Sequence, residues 1–279
     1  MDSLLLQSFI NDALAEDMAF TDLTAQATIS QTQQGKATII AKANGVLSGC
    51  DIAQQVFNTM DASILQAWQK TDQDKVQAGD VICQLEGNMR MLLSAERTAL
   101  NFMQHLSGIA SATALFVDAL KDTNCDIVDT RKTTPGLRVL EKKAVVDGGG
   151  SNHRMDLASG MLIKENHIEA AGSITDAVAA CQKLSPNTWI EVECETLDEV
   201  VEAVHVCPDI ILLDNMDIAT VEKARKLVPP SIILEASGNI TLSNAQNYAQ
   251  TGINRIAVGA ITHSAPSLDL SMRVSKLVS

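Results

Sequence analysis

The 279-residue chain is 46% hydrophobic but only 3% aromatic, and its formal net charge is −13. That size supports one large core or two moderate ones, built from Ala, Val, Ile, Leu and Met. Acidity on this scale argues against nonspecific binding to nucleic acid or to acidic membranes.

The opening "MDSLLLQSFINDALAEDM" lacks the cationic start and long apolar region of a signal peptide. No run approaches about 18 apolar residues, so a cytoplasmic chain without a membrane span is expected. Leu5, Leu6, Phe9, Ile10, Ala13 and Leu14 fall at helical spacing. Two strand-like runs follow, "ATIIAKANGVLSG" and "DVICQLEG", with helical "DIAQQVFNTM" between them. "SAERTALNFMQHLSGIASATALFVDAL" predicts a long helix or two joined ones, with Ser94 as N-cap and Glu96 in the positive first turn. Six scattered cysteines, with no C-x-x-C pair, read as buried thiols in a reducing cytoplasm.

From Cys125 onward, strands alternate with helices. The strands are "CDIVD", "GMLIKE", "WIEVECE", "IILLDN", "IILEAS" and "RIAVGA". Thr196 with Glu199 forms a capping box before one helix, and Ser173 with Asp176 a related one before another. Such alternation means parallel strands joined by right-handed crossovers, in an open doubly wound sheet or a β/α barrel. Nearly every strand ends in polar residues or glycine, which favours a barrel whose strand ends converge on one mouth. Six strands are fewer than the eight of a complete barrel.

The strand ends also carry the chemistry. In "WIEVECE", period-two alternation puts Glu191, Glu193 and Glu195 on one face. Carboxylates lining an interior need a divalent metal or Lys and Arg; a wet edge strand is the other reading. Asp214 closes the apolar run "DIILLD", where solvation explains it poorly. "EASGNITLSN" and "AVGAITHS" place glycine just before helix starts, as phosphate turns do, although glycine is also the default turn residue. Arg131 and Lys132 sit at one strand end, and Arg154 and Lys164 bracket the next strand. Arg supplies a planar fork for carboxylate or phosphate, and Lys a compact charge. Arg138, Lys142 and Lys143 follow Pro135-Gly136 on a helix and read as a solvated face.

"ERTALNFMQHLSGIASAT", "DTRKTTPGLRVLEKKAVVDGGGSNHR", "LIKENHI", "EVECETLDE", "ILLDNM", "LEASGNI" and "VGAITHSAPSLDLS" together resemble the quinolinate phosphoribosyltransferases, the carboxylating nicotinate-nucleotide pyrophosphorylases. The resemblance implies an α/β protein. An N-terminal α/β domain over 1–110, with a C-terminal helix free to pack back on it, precedes an incomplete β/α barrel of the type II phosphoribosyltransferase kind over 111–279. It also implies a homodimer or higher assembly with shared sites, in which Arg97 reaches the neighbouring subunit.

By the same resemblance, Thr130, Arg131, Lys132, His153, Arg154 and Lys164 receive substrate. Lys132 and Lys164 are also implied in catalysis, with Glu193 and Asp214, which hold Mg²⁺ directly or through water. Ser237, Gly238 and Asn239 form one phosphate turn; Val258, Gly259 and Ala260, with His263 nearby, form a second. The chain departs from the family at Met155-Asp156-Leu157-Ala158-Ser159, usually apolar-Gly-Leu-x-Asp, and at His105, where many members have Arg. The implied reaction joins quinolinate to phosphoribosyl pyrophosphate with decarboxylation. A molybdenum-transport-associated paralogue acting on another base, or a non-catalytic metabolite-binding barrel, are the alternatives.

Overall fold

The computed structural model describes residues 3–277. They form two compact units, one of residues 3–112, 139–148 and 265–277, the other of residues 113–138 and 149–264.

In the first unit, α1 (Ser3–Glu16) buries Ile10 and Leu14 as its spacing predicts. A 3-10 turn at Ala19–Thr21 leads to α2 (Leu23–Thr28), capped by Asp22, which accepts from the Ala25 N–H at 2.9 Å. Strand β1 (Gln34–Ala41) buries alternate residues, among them Ala37, Ile39 and Ala41. Then come β2 (Gly45–Val46), α3 (Cys50–Met60), β3 (Leu65–Trp68), β4 (Lys75–Val76) and β5 (Val81–Asn88).

A single helix, α4 (Met89–Leu120), follows for 32 residues. It begins before the predicted cap. Asn88 caps it, accepting from Arg90 N–H at 3.0 Å, because the buried Met89 and Leu92 carry the apolar stripe upstream. Ser94 lies inside the helix and donates to Asp22 Oδ2 at 3.1 Å, and Glu96 falls past the first turn.

The second unit is built on β6 (Asp126–Val128). Next in the chain is α5 (Arg138–Asp147), which the first unit holds from Val139 onward. Then follow β7 (Met161–Ile163), α6 (Glu165–Ala171), α7 (Ile174–Leu184), β8 (Ile190–Cys194), α8 (Leu197–Val206) and β9 (Ile210–Asp214). The series closes with α9 (Ile218–Leu227), β10 (Ile233–Ser237), α10 (Ala245–Ala249), β11 (Arg255–Ala257) and α11 (Ala260–His263). The chain then returns to the first unit as β12 (Leu270–Lys276), a strand where a helix was expected. Leu270 and Met272 alternate into the core, and β12 pairs antiparallel with β1.

The first unit's sheet is antiparallel in the order β12-β1-β5-β3, with β2 and β4 as a separate ribbon. The second unit's six predicted strands form one parallel sheet in the order β6-β11-β10-β9-β8-β7. This cyclic order is that of a barrel opened between β6 and β7, two strands short of eight. Both helix-start readings hold: Thr196 and Glu199 form a reciprocal capping box on α8, and Ser173 accepts from Asp176 N–H on α7.

The cations around α5 are not a solvated face. Lys142 is fully buried, and Lys143 Nζ pairs with Asp72 and, at 2.8 Å, Asp147. Arg138 Nε donates to Thr133 Oγ1 at 2.9 Å, and its guanidinium reaches the carbonyls of Arg131 and Met155 at 3.4 Å. Partners such as Asp72 are far away in sequence, so the helix pattern cannot reveal them. Not all the cysteines are buried either: Cys181 is half-buried, and Cys207 is exposed at the left-handed C-cap of α8. No described helix is long and apolar enough to cross a membrane.

Candidate active site

A parallel sheet delivers all its strand ends to one edge, and a cavity of about 390 Å³ opens there in the second unit. Thr130, Arg131 and Lys132 reach it from the end of β6, and His153 and Arg154 from the segment before β7. Lys164, Glu193 and Asp214 come from the ends of β7, β8 and β9, and the turn 237–239 from β10. Register does the gathering: Asp214 is the direct partner of Ser237, and Ser237 of Ala257.

Each acid of "WIEVECE" meets a different fate. Strand β8 is interior and buried throughout, so the wet-edge reading does not apply. Lys164 Nζ bonds Glu193 Oε2. Burial pushes the Glu193 carboxyl above its usual range, with Asp214 adding to the effect and Lys164 opposing it. Glu191 is fully buried and takes His153 Nε2 at 2.7 Å. Glu195 lies beyond the strand and is exposed.

His153 is held at both ring nitrogens. Its Nδ1 accepts the Arg154 backbone N–H at 2.7 Å, so its ring proton lies on Nε2, facing Glu191. The fully buried Asp129 anchors the same segment, accepting from His153 N–H at 2.9 Å and Asn152 Nδ2 at 2.6 Å. In the cavity wall, Glu235 faces its cross-strand partner Arg255 at 3.1 Å. Burial, then the Glu191 carboxylate, push Glu235 up to about 7.

Arginine and lysine side chains line the rest of the wall. Arg131 Nε and Arg154 Nε are buried without a hydrogen-bond partner among the described residues, and both residues line the cavity. Burial, then Arg131, pull Arg154 below the usual guanidinium range, as expected where two like charges share a wall. Lys132 is held by its backbone: its N–H donates to Thr130 Oγ1 at 3.0 Å, and its carbonyl accepts from Thr262 Oγ1 at 2.8 Å.

Eleven of the sequence-predicted residues therefore share the cavity: 130–132, 153, 154, 164, 193, 214 and 237–239. Val258, Gly259, Ala260 and His263 do not line it. They follow β11 nearby, where a Cβ on Gly259 would lie 3.0 Å from Lys132 Cδ. Arg97 is exposed on α4 in the first unit. The sequence reading missed Leu162, Leu212, Ala257 and Glu235, which also line the cavity, as does Asn215 just past the end of β9. Strand alternation carried the signal for Glu235, two residues before Ser237 on the same face.

The two departures from the expected pattern resolve locally. His105 Nε2 lies 2.8 Å from the buried Glu141 carboxylate in the first unit. Asp156 is exposed and folds its own loop, accepting from the N–H groups of Ala158 and Ser159 at 2.9 Å.

Two family models match the chain. Quinolinate phosphoribosyl transferase, N-terminal domain, covers residues 22–107, and its C-terminal domain counterpart covers 109–273. A protein described as a probable carboxylating nicotinate-nucleotide pyrophosphorylase in Bacillus subtilis is 43% identical over 99% of this chain and 95% of its own. The enzyme of that name from Mycobacterium leprae is 39% identical over 94% and 95%. The crystal structure of NadC from Streptococcus pyogenes superposes with a TM-score of 0.96 at 40% identity, covering 100% of this chain and 99% of that one. The nicotinate-nucleotide pyrophosphorylase from Francisella tularensis gives 0.95 at 40%, covering 99% and 98%.

Proposed function

The chain belongs to the quinolinate phosphoribosyltransferase family, and from that premise we infer that the cavity at the ends of β6–β11 is its catalytic site. The enzyme transfers the phosphoribosyl group of phosphoribosyl pyrophosphate to quinolinate, giving nicotinate mononucleotide, CO₂ and pyrophosphate in NAD biosynthesis. The observation that carries the site assignment is the pair of buried, unsatisfied guanidinium N–H groups on Arg131 and Arg154. A buried donor without a partner costs about 1–3 kcal/mol, and a carboxylate removes that cost. Quinolinate brings two carboxylates.

Arg131 and Arg154 then orient the pyridine ring, with Lys164 at its edge and Leu162, Leu212 and Ala257 excluding water beneath it. The turn 237–239 seats the 5′-phosphate through close backbone approach, and Lys132 adds charge for the phosphates. The ring-nitrogen lone pair forms the bond to C1′ of the ribose as the C1′–oxygen bond to pyrophosphate breaks. That bond pair leaves with the pyrophosphate. When the C2–carboxylate bond breaks and CO₂ departs, the electron pair stays on C2, where the adjacent ring nitrogen, now cationic, stabilises it. C2 then takes a proton. No enzyme nucleophile enters this sequence, and the side chains supply position and field.

The donor chemistry also fits Mg²⁺. Glu193 and Asp214 offer hard carboxylate oxygens to one cavity, and the Asp214 charge helps to push the Glu193 carboxyl up. Asp214 Oδ2 accepts from Asn215 Nδ2 at 2.8 Å, which leaves further carboxylate lone pairs for a metal or a metal-bound water. When bound, Mg²⁺ supplies charge neutralisation of the pyrophosphate leaving group. A homodimer with Arg97 of one subunit serving the other's cavity completes the reading.

Purified enzyme given quinolinate and phosphoribosyl pyrophosphate should form nicotinate mononucleotide and release CO₂ in equal amounts. Turnover of another base, with quinolinate inert, would favour the paralogue reading.

A further inference from the structure

Asp214 and the turn 237–239 stand on neighbouring strands, and one side chain, Asn215, spans the gap between them. Asn239 Nδ2 donates to Asn215 Oδ1 at 3.0 Å, and Asn215 Nδ2 donates to Asp214 Oδ2 at 2.8 Å. Both ends of the amide are committed. Turned over, it would set Nδ2 against Nδ2 and oxygen against carboxylate, so this orientation alone satisfies the chain of bonds. The backbone repeats the connection, since the Asn215 N–H donates to the Ser237 carbonyl at 3.0 Å.

The local conformation is unusual on both sides of the bond. Asn215 and Asn239 have φ of 54° and 51°, and Gly238 has φ of 91°. The left-handed region is disfavoured for side-chain-bearing residues, and Asn tolerates it best among them. At Gly238 a Cβ would lie 2.2 Å from Asn215 Oδ1 and 2.9 Å from its backbone nitrogen. The turn can approach Asn215 only because residue 238 has no side chain. Two disfavoured backbone conformations, at Asn215 and Asn239, thus flank one hydrogen-bonded chain of amides, and such strain persists where its surroundings over-determine it.

We propose that Asn215 is a positioning residue that fixes the spacing between the phosphate turn and the Asp214 carboxylate, so that the phosphate and ribose of one ligand are gripped together. This rests on the functional reading above. Without the Asn215 amide both anchors remain, held by the backbone pairing of β9 with β10 alone, and no side chain ties the Asp214 carboxylate to Asn239. The loss falls on ligands that carry both a ribose and a 5′-phosphate. Quinolinate carries neither.

The test uses Asn215→Gly, which keeps the left-handed backbone cheap and removes only the amide. Calorimetric titration without metal measures nicotinate mononucleotide and quinolinate separately. Asn215→Gly should weaken nicotinate mononucleotide about tenfold, the scale of a lost hydrogen bond or two. Quinolinate affinity should stay within about twofold. Asn239→Gly should weaken nicotinate mononucleotide similarly, and the double variant should bind no more weakly than Asn215→Gly, because both changes break one link. Unchanged nicotinate mononucleotide affinity in Asn215→Gly, equal weakening of quinolinate, or losses that multiply in the double variant would each overturn the proposal. A parent enzyme that neither binds nicotinate mononucleotide nor makes it would overturn the functional reading itself. A parent that does both, beside an unaffected variant, removes only the role of Asn215.

Discussion

The Nε2 of His153 lies 2.7 Å from Oε2 of Glu191, a carboxylate with no solvent exposure, while Nδ1 accepts the Arg154 N–H at the same distance. Both ring nitrogens are engaged, so His153 is a fixed part of the cavity wall rather than a proton shuttle. Glu191→Leu leaves its Nε2–H without that acceptor in a buried place, at a cost of about 1–3 kcal/mol. The quinolinate KM should rise roughly 5- to 100-fold. Glu191→Gln keeps an acceptor oxygen and should cost much less. Steady-state kinetics on the two variants checks this; equal effects would remove the role assigned to the hydrogen bond.

Glu235 should make stability depend on pH. Its native value, about 7, lies above its ordinary 4.5, so the native state binds the proton more tightly than the unfolded chain. The contribution is present below pH 4.5 and is lost as pH rises through about 7, a change of about 3 kcal/mol. Glu235→Gln stays uncharged and should flatten that loss. Denaturant unfolding of both proteins at pH 4.5 and pH 8 measures the difference; matching declines would place the titration elsewhere.

Asp214→Ala should lower kcat at least 100-fold, the scale of losing electrostatic stabilisation of a developing charge. Its unfolding midpoint should change little, because Asp214 is half-buried at a strand end. Activity of the parent should vanish with excess chelator and return with Mg²⁺. Full turnover in chelator would reject the metal.

Arg97→Ala and Lys164→Ala homodimers should both be nearly inactive. If Arg97 serves the neighbouring subunit, a mixed dimer holds one site lacking both side chains and one intact site. Mixing after dissociation should then restore up to about a quarter of the parent's activity, since half the dimers are mixed. No recovery, despite demonstrated subunit exchange, would place Arg97 outside a shared site.

The sequence by itself determined whatever depends on near neighbours. Period-two and period-3.6 patterns placed all six strands of the parallel sheet, and Thr196 with Glu199 marked the start of α8 to the residue. Because parallel strands end at one edge, it also brought eleven of its site residues into one cavity. Local pattern misled at Ser94, since a cap-forming residue inside a helix looks like one at its start. Only the tertiary structure decided the pairings. It gave Glu191 to His153, Glu193 to Lys164 and Asp72 to Lys143, and it turned two cations of α5 from solvent to buried or paired positions. It also brought Asn215 and Asn239, 24 residues apart, into contact. Burial and the choice of partner are set by which strands and loops become neighbours, and charge patterning along the chain carries no record of that.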